Sequence, residues 1–159
     1  MGKSIIFLYS YHNMNTQKIG KVIAEKINAS IIDVNNNTDN IDLDIYDLIG
    51  FGAGIGGGKH YSQMLKFAEK MQNIQNKKAF IFSTSGRHNK KKMFNDHKAL
   101  RNILQSKGFT VIDEFGCKGF SYYNFKLIKT KKRFEMNKNR PNDEDLKNAE
   151  MFAEKLLNL

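Results

Sequence analysis

The sequence predicts a three-layer α/β sandwich, in which one five-stranded parallel sheet lies between two layers of helices. Short apolar, β-branched runs alternate along the chain with segments of helical spacing, as in repeated β-α-β units. Polar or glycine-rich turns follow the first, third and fourth of these runs. In the strand order 2-1-3-4-5, the carboxyl ends of those three strands meet where the winding reverses, which is where ligands bind. We therefore expect a single domain over residues 1–159 with a ligand site at that edge.

Five runs are predicted as strands because each is short, rich in Ile, Val or Phe, and bounded by polar or glycine turns. They span residues 3–9, 30–34, 47–52, 78–83 and 109–115. Four segments repeat apolar residues at intervals of three and four, which predicts amphipathic helices. They cover residues 17–27, 59–72 and 96–107, and a last helix that begins at the acidic cap Asn142-Asp143-Glu144-Asp145. Residues 53–58 and 84–88 are predicted as loops, and residues 121–140 show no clear period.

Charge and cysteine content indicate the kind of partner and the compartment to expect. The chain has 26 Lys and Arg residues against 16 Asp and Glu, a formal net charge of +10. This excess favours an acidic partner, an anionic membrane surface or a nucleic acid. Cys117 is the only cysteine, so no internal disulfide is possible, which is typical of a reducing cytoplasm. No apolar run is long enough for a membrane span, and a strand follows the first residues directly, unlike a signal peptide. We expect a cytoplasmic protein.

The turn between the first strand and the first helix has the composition of a phosphate site. The free backbone N–H groups and the positive dipole end of that helix point to one spot above the sheet. Hydroxyls of Ser10 and Thr16 and amides of Asn13 and Asn15 surround this spot. Such a site needs no basic side chain, because several hydrogen bonds to a charged group suffice. The alternative is that Asn15 or Thr16 merely caps the helix.

The glycines after the third strand match a dinucleotide-binding fingerprint only in letters. Gly52 to Gly57 reads G-x-G-x-x-G, but it follows the third strand and not the first. The fingerprint also needs an acidic residue about twenty positions further on, where this chain has Gln75-Asn76-Lys77-Lys78. We interpret these glycines as a segment that lets the main chain approach a flat ligand. A flexible loop without a ligand is the alternative.

Three motifs in this order resemble the flavodoxin family over nearly the whole chain. They are Tyr9-Ser10-x-x-x-x-Asn15-Thr16, Tyr46-Asp47-Leu48-Ile49-Gly50-Phe51-Gly52-x-Gly54, and Phe80-Ile81-Phe82-Ser83-Thr84-Ser85-Gly86. The resemblance implies a flavodoxin-like fold and FMN as the cofactor. It implies that the FMN phosphate is held by Ser10, His12, Asn13, Asn15 and Thr16. It further implies that one side of the flavin ring is covered by Gly52, Ala53, Gly54, Ile55, Gly56, Gly57 and Gly58, and that its other edge contacts Ser83, Thr84, Ser85 and Gly86.

Two departures from the family pattern bear on that site. Met14 stands where family members usually have glycine, so the phosphate turn is expected to differ in shape. Many relatives also have an aromatic residue at the position of Gly56 or Gly57, and this chain has none between Phe51 and Tyr61. Aromatic stacking contributes about 0.5–1.5 kcal/mol beyond area burial. The candidates to replace it are His60, Tyr61 and Tyr122.

Residues 121–140 combine many basic residues with aromatic ones. Three interpretations stay open: a solvated charged segment, a docking surface for a redox partner protein with an acidic face, or a contact with an anionic membrane surface. At this place the chain weakly resembles flavodoxin-like, menaquinone-dependent protoporphyrinogen oxidases, which carry a basic loop. Nucleic-acid binding is electrostatically possible, but no recognition motif supports it.

Other chemistry has little support in the sequence. The four histidines, His12, His60, His88 and His97, show no metal-ligand spacing with a third ligand nearby. Cys117 is interpreted as a small buried apolar residue. We find no Ser/His/Asp pattern and no paired carboxylates, so hydrolysis is not expected.

The favoured function is electron transfer through FMN. The alternatives are an FMN-dependent oxidoreductase acting on a quinone, NAD(P)H or a protoporphyrinogen-type substrate, and a basic binding module whose flavin site has decayed.

Overall fold

Strands and helices alternate along the chain as the sequence predicts. The computed structural model describes residues 2–11, 13–36, 38–124 and 133–159. A short 3₁₀ helix lies at Leu43–Ile45. In chain order the other elements are β1 (Lys3–Tyr9), α1 (Asn15–Ile27), β2 (Ala29–Asp33), β3 (Tyr46–Gly56), β4 (Lys59–His60), α2 (Ser62–Lys70), β5 (Lys77–Ser85), α3 (Lys90–Asp96), α4 (Lys98–Ser106), β6 (Phe109–Lys118), β7 (Ser121–Asn124), β8 (Arg133–Met136) and α5 (Asp143–Leu156).

The central sheet confirms the predicted fold class and strand order. Its parallel strands lie in the order β2-β1-β3-β5-β6, and the two-residue β4 pairs antiparallel with the end of β3. With β4 left aside, this is the expected order 2-1-3-4-5. The sheet separates two apolar clusters: α2 and α4 pack on one face, and α1 and α5 pack on the other. The carboxyl ends of β1, β3 and β5 therefore lie side by side at one edge.

Several element boundaries differ from the prediction. The expected loop at 53–58 is the end of β3 followed by a tight turn, because β3 continues to Gly56 and pairs there with Lys59. The helix expected at 59–72 begins only at Ser62, since β4 comes first. The helix expected at 96–107 is α4, and α3 precedes it without having been predicted. The irregular stretch at 121–140 contains the antiparallel pair β7–β8, while its residues 125–132 lie outside the described residues.

The last helix begins as its acidic cap predicts. Asn142 is the N-cap of α5: its side chain accepts a hydrogen bond from the Asp145 amide, and the Asp145 side chain accepts one from the Asn142 amide. Asp143, Glu144 and Asp145 occupy the first turn, where negative charge is favourable. Within the described ranges, no helix has both the length and the apolar character needed to cross a bilayer.

Candidate functional site

A cleft opens at the carboxyl edge of the sheet, where the predicted turns meet. The β1–α1 turn, the end of β3 and the end of β5 form three of its sides, and the segment after β6 forms the fourth. The enclosed space is only about 40 Å³, so a larger ligand must extend from the mouth or separate the walls. The lining residues are Ser10, Tyr11, Asn15, Thr16, Gly54, Ile55, Tyr61, Thr84, Ser85, Gly86, Gly119, Phe120 and Ser121.

The β1–α1 turn directs the N-terminal end of α1 toward the cleft. Asn13 and Met14 both have positive φ, 51° and 53°, which reverses the chain sharply before the helix. Ser10 Oγ accepts a hydrogen bond of 3.1 Å from the Gln17 amide. The first N–H groups of a helix have no intrahelical partners and point out of its N-terminal end. Met14 is 42% exposed and does not line the cleft, so it leaves this opening free.

Side chains of α1 tie the turn to the opposite walls. Thr16 Oγ1 lies 2.8 Å from Thr84 Oγ1 at the end of β5, and both residues are buried. Asn15 Nδ2 donates to the Phe120 carbonyl at 2.8 Å. Asn15 Oδ1 is buried and accepts no hydrogen bond from the described part of the chain. A buried oxygen of this kind costs about 1–3 kcal/mol unless a donor reaches it, so it is suited to a ligand hydroxyl or N–H.

A two-residue turn closes the glycine segment into a hairpin. Gly57 and Gly58 have φ of +62° and +78°, the type I′ geometry that glycine adopts without strain. The ring of Tyr61 packs on the backbone of β3, because a Cβ on Gly54 would lie 2.5 Å from it and one on Gly56 would lie 2.9 Å from it. Tyr61 thus supplies an aromatic surface beside the glycines. Burial and the neighbouring Tyr9 raise the pKa of the Tyr61 hydroxyl.

The remaining predicted residues that the structure describes lie outside the cleft lining. Gly52 and Ala53 lie within the sheet: a Cβ on Gly52 would be 2.1 Å from the Phe82 ring, and Ala53 is fully buried. Gly57 and Gly58 form the exposed hairpin tip, and Gly56 lies just before it. Asn13 is exposed and donates to the Phe120 carbonyl at 3.3 Å, and His12 lies outside the described residues.

The side chain of Ser83 points away from the cleft because successive side chains of a strand alternate between faces. Ser83 Oγ lies 2.7 Å from His97 Nε2, and His97 Nδ1 donates to Glu114 Oε2 at 2.8 Å. Arg101 holds the same carboxylate through two of its nitrogens. Burial would raise the pKa of Glu114, but the hydrogen bonds from Arg101 and His97 outweigh it and lower the pKa to about 2. Four polar side chains that no sequence pattern groups together therefore form one network.

His60 packs against this network from the hairpin. Its ring lies 4.7 Å from the His97 ring, and neither ring nitrogen has a hydrogen-bond partner among the described residues. Burial first, and then the neighbouring His97, lower the pKa of His60 to about 3. The order Ser-His-Glu suggests a nucleophile and its base. However, Ser83 is 3% exposed and His97 is fully buried, so a substrate cannot reach them and the network supports the fold.

Cys117 and possible metal-binding groups are the other candidates for chemistry in the described ranges. Cys117 is buried, as predicted, and burial raises the pKa of its thiol to about 12, so the thiol stays protonated. The described residues contain no group of three or more His, Cys, Asp or Glu side chains that could hold a metal ion. Sequence reasoning missed Gly119 and Phe120 as cleft residues, although they follow directly on the carboxyl end of the fifth parallel strand, which was itself a usable signal.

Comparisons with known proteins agree with this fold. A family model described as a flavodoxin domain matches residues 6–145. An uncharacterised protein of Methanocaldococcus jannaschii is 46% identical over 156 residues, which is 98% of each chain. A structure of oxidised flavodoxin 2 from Bacillus cereus superposes with a TM-score of 0.71 at 16% identity, over 98% of both chains. A flavoprotein from Lactobacillus acidophilus, crystallised in complex with FMN, gives 0.53 at 20% identity, over 73% of this chain and 93% of its own.

Proposed function

The chain belongs to the flavodoxin family, and from this premise we propose that it binds FMN and acts as an electron-transfer protein. The observation that carries the proposal is the convergence of three features on one cleft. These are the N-terminal end of α1, the Thr16–Thr84 contact and the Tyr61 ring packed on the glycines of β3. Together they offer hydrogen bonds for a phosphate next to an aromatic wall for a flat ring.

The lining residues fit the chemistry of FMN. Ser10, Thr16 and the first amides of α1 would hold the phosphate, because helix N-termini favour anions. Asn15 Oδ1 has no donor among the described residues, and the ribityl chain of FMN carries hydroxyl groups that could supply one. Tyr61 and the segment from Thr84 to Gly86 would border the ring. When bound, FMN supplies the electron-transfer chemistry, while the protein binds it, orients it and limits its contact with water.

An FMN titration of the apoprotein tests the proposal. We expect one FMN per chain with an affinity in the micromolar range or better. Thr16→Val should weaken binding about 10- to 100-fold, because a hydrogen bond to a charged group contributes about 1.5–3 kcal/mol. The matched control is Thr110→Val, since Thr110 is exposed on β6 away from the cleft and its loss should leave the affinity unchanged. A wild-type protein that is folded by circular dichroism yet shows no calorimetric signal with FMN refutes the proposal.

Steady-state assays then separate a carrier from an enzyme. A carrier exchanges electrons with redox proteins and turns over slowly with NAD(P)H, quinones or protoporphyrinogen-type substrates. Rapid turnover of one of these small molecules would replace electron transfer by the oxidoreductase function.

We further propose that the redox partner has an acidic face, because the chain has a net charge of +10. The expected membrane or partner contact through residues 121–140 stays a prediction, as residues 125–132 lie outside the described part.

A further inference from the structure

The start of α3 carries charge of the sign that weakens a helix. Lys90, Lys91 and Lys92 form its first turn, which contains no acidic residue. Positive side chains at the positive end of a helix dipole are unfavourable. The first turn of α5 instead carries negative charge, from Asp143, Glu144 and Asp145. Stability therefore explains the residues at α5 but not those at α3.

These lysines are only partly neutralised. Lys92 pairs with the buried Asp96 one turn later, whereas Lys90 and Lys91 are exposed and form no ion pair among the described residues. Asp96 is the only carboxylate between residues 84 and 98, a stretch that also contains Arg87 and Lys98. The positive charge at this place is therefore a local excess and not only a share of the basic composition.

The segment that carries these lysines starts at the wall of the candidate FMN site and ends beside the hairpin tip. Ser85 lines the cleft, and its Oγ donates to the Arg87 carbonyl at 2.7 Å, so the loop that leads to α3 starts at the cleft wall. The hairpin tip lies beside the far end of α3, because a Cβ on Gly58 would be 3.9 Å from Asp96 Oδ1. Lys59 is exposed on that hairpin. We call Lys59, Arg87, Lys90 and Lys91 the basic rim.

An exposed aromatic residue lies within the same surface. Phe94 is 58% exposed and lies one helical turn after Lys90, so the two share a face of α3. The Arg101 guanidinium, which is paired with Glu114, lies 3.9 Å from the centre of its ring and holds the ring in place. An aromatic anchor surrounded by charges of one sign is typical of protein–protein interfaces with a complementary partner.

We propose that the basic rim, together with the exposed Phe94, is the docking surface for an acidic electron-transfer protein. The inference rests on the proposed function, because it is the adjacent flavin site that makes the partner a redox protein. A protein fits better than a nucleic acid, because the patch includes an exposed apolar anchor and its loop starts at the cleft wall. Positive potential at the rim speeds encounters with an acidic partner, and salt screens this attraction.

Two charge-reversal variants of equal net charge test the location. In the rim variant, Lys90→Glu and Lys91→Glu reverse the exposed charges of α3. In the control variant, Lys21→Glu and Lys147→Glu reverse exposed charges of α1 and α5, on the opposite face of the sheet. Each FMN-loaded protein is mixed with a reduced acidic [2Fe–2S] ferredoxin, and stopped-flow absorbance follows the transfer of one electron from the ferredoxin cluster to the flavin.

We expect the second-order rate constant of the rim variant to fall about tenfold or more at low salt, while the control variant keeps a rate close to wild type. The difference in rate constant between the rim variant and the wild type should shrink at about 0.5 M salt, where the Debye length is only a few ångströms. Thermal unfolding distinguishes weaker docking from a destabilised fold. The rim variant should melt at or above the wild-type temperature, because Glu is favourable at a helix N-terminus.

Two results would overturn the proposal. One is an equal loss in both variants, which would show that net charge alone matters. The other is an unchanged rate in the rim variant, and if that variant also loses binding to duplex DNA or to phosphatidylserine vesicles, the rim is assigned to one of those surfaces. Failure of the proposed function is recognised separately, because a protein without FMN has no visible flavin absorbance before any mixing.

Discussion

At the scale of single residues, Met14 holds the most strained backbone position of the candidate site. Its φ of 53° lies in the left-handed region, which costs an L-residue other than Gly, Asn or Asp about 1–2 kcal/mol. Glycine would adopt this conformation freely but loses about 0.5–1 kcal/mol more backbone entropy on folding than other residues. We expect Met14→Gly to stabilise the apoprotein by roughly 0.5–1 kcal/mol in urea unfolding.

The neighbouring Asn13 is the matched control for Met14. It has φ of 51°, but asparagine tolerates this region and its side chain donates to the Phe120 carbonyl. Asn13→Gly should therefore give no gain or a small loss. Equal stabilisation by both glycines would mean that the turn as a whole, and not strain at Met14, limits stability. FMN affinity should survive Met14→Gly, since Met14 does not line the cleft.

His60 makes stability depend on pH. Burial lowers its pKa from 6.5 to about 3 in the folded protein, so between these values the unfolded chain binds more protons. The stabilisation from neutral His60 is complete above about pH 6.5 and falls by up to about 1.4 kcal/mol per unit as pH decreases toward 3. His60→Phe keeps a ring against His97 and removes the titration. We expect the stability difference between variant and wild type to favour the variant increasingly below pH 6.

The comparison is made by urea unfolding of both proteins at several pH values. Carboxylates titrate in the same window, but they are shared by the two proteins and cancel in the difference. His88→Phe is the control for a partly buried histidine. Burial lowers the pKa of His88 too, but His88 is not fully enclosed as His60 is. A difference between His60→Phe and wild type that stays constant from about pH 8 to about pH 5 would show that His60 does not become protonated on unfolding.

At the scale of elements, the β3–β4 hairpin adjoins one wall of the cleft. The enclosed space is about 40 Å³, so a flavin-sized ligand must extend from the mouth or separate the walls. Gly57 tests the turn without a steric effect, since a Cβ there would meet no atom of the described residues within 4 Å. Gly57→Asn suits the positive φ and should leave stability and FMN affinity near wild type. Gly57→Val should cost about 1–2 kcal/mol and weaken FMN binding, because the turn no longer closes without strain.

Calorimetry with FMN and urea unfolding of both Gly57 variants provide the measurements. If valine lowers stability but leaves the FMN affinity equal to that of the asparagine variant, the hairpin is part of the fold but not of the site. The opposite pattern, weaker FMN binding with unchanged stability, would place the turn in direct contact with the ligand.

How far the sequence predicted an element depended on whether its signal was local. The start of α5 was predicted because a cap such as Asn142 and Asp145 is formed by residues three positions apart. The end of β3 was missed, although the pair Gly57-Gly58 is a hairpin signal between two possible strands. α3 was missed because Lys90-Lys91-Lys92 contains no apolar period and opposes the helix dipole. Its N-cap Asn89, which accepts from the Lys92 amide, was the one local indication.

At the scale of the whole molecule, the strand order could be predicted and the polar network could not. Turn composition located the cleft because parallel strands bring their carboxyl ends together whatever their side chains are. The contacts of Ser83 with His97 and of His97 with Glu114 join residues 14 and 17 positions apart on different elements. They depend on how α4 lies across β5 and β6, which no periodicity in the sequence reveals. The same limit applies to Asn15 and Phe120, whose contact spans 105 positions.

The excess of positive charge should make the apoprotein more stable in salt. Surface ion pairs such as Lys26–Glu154 weaken as salt rises, but solvent-exposed pairs contribute little to stability. Repulsion within a chain of net charge +10 is long-ranged and is screened at the same time, so the gain should exceed the loss. We expect the Tm to rise by at least about 2 °C between 0.02 M and 0.2 M sodium chloride, which corresponds to roughly 1 kcal/mol for a domain of this size.

The same two charge-reversal variants separate the local from the global part of this effect. Each lowers the formal net charge from +10 to +6, so both should depend less on salt than the wild type. The variant of Lys90 and Lys91 should lose more of the dependence, because it also removes repulsion from the dipole of α3 and from Arg87. A Tm that falls with salt in all three proteins would mean that ion pairs outweigh repulsion. In that case the lysines of α3 would not be unfavourable for the fold, and their presence would need no functional reason.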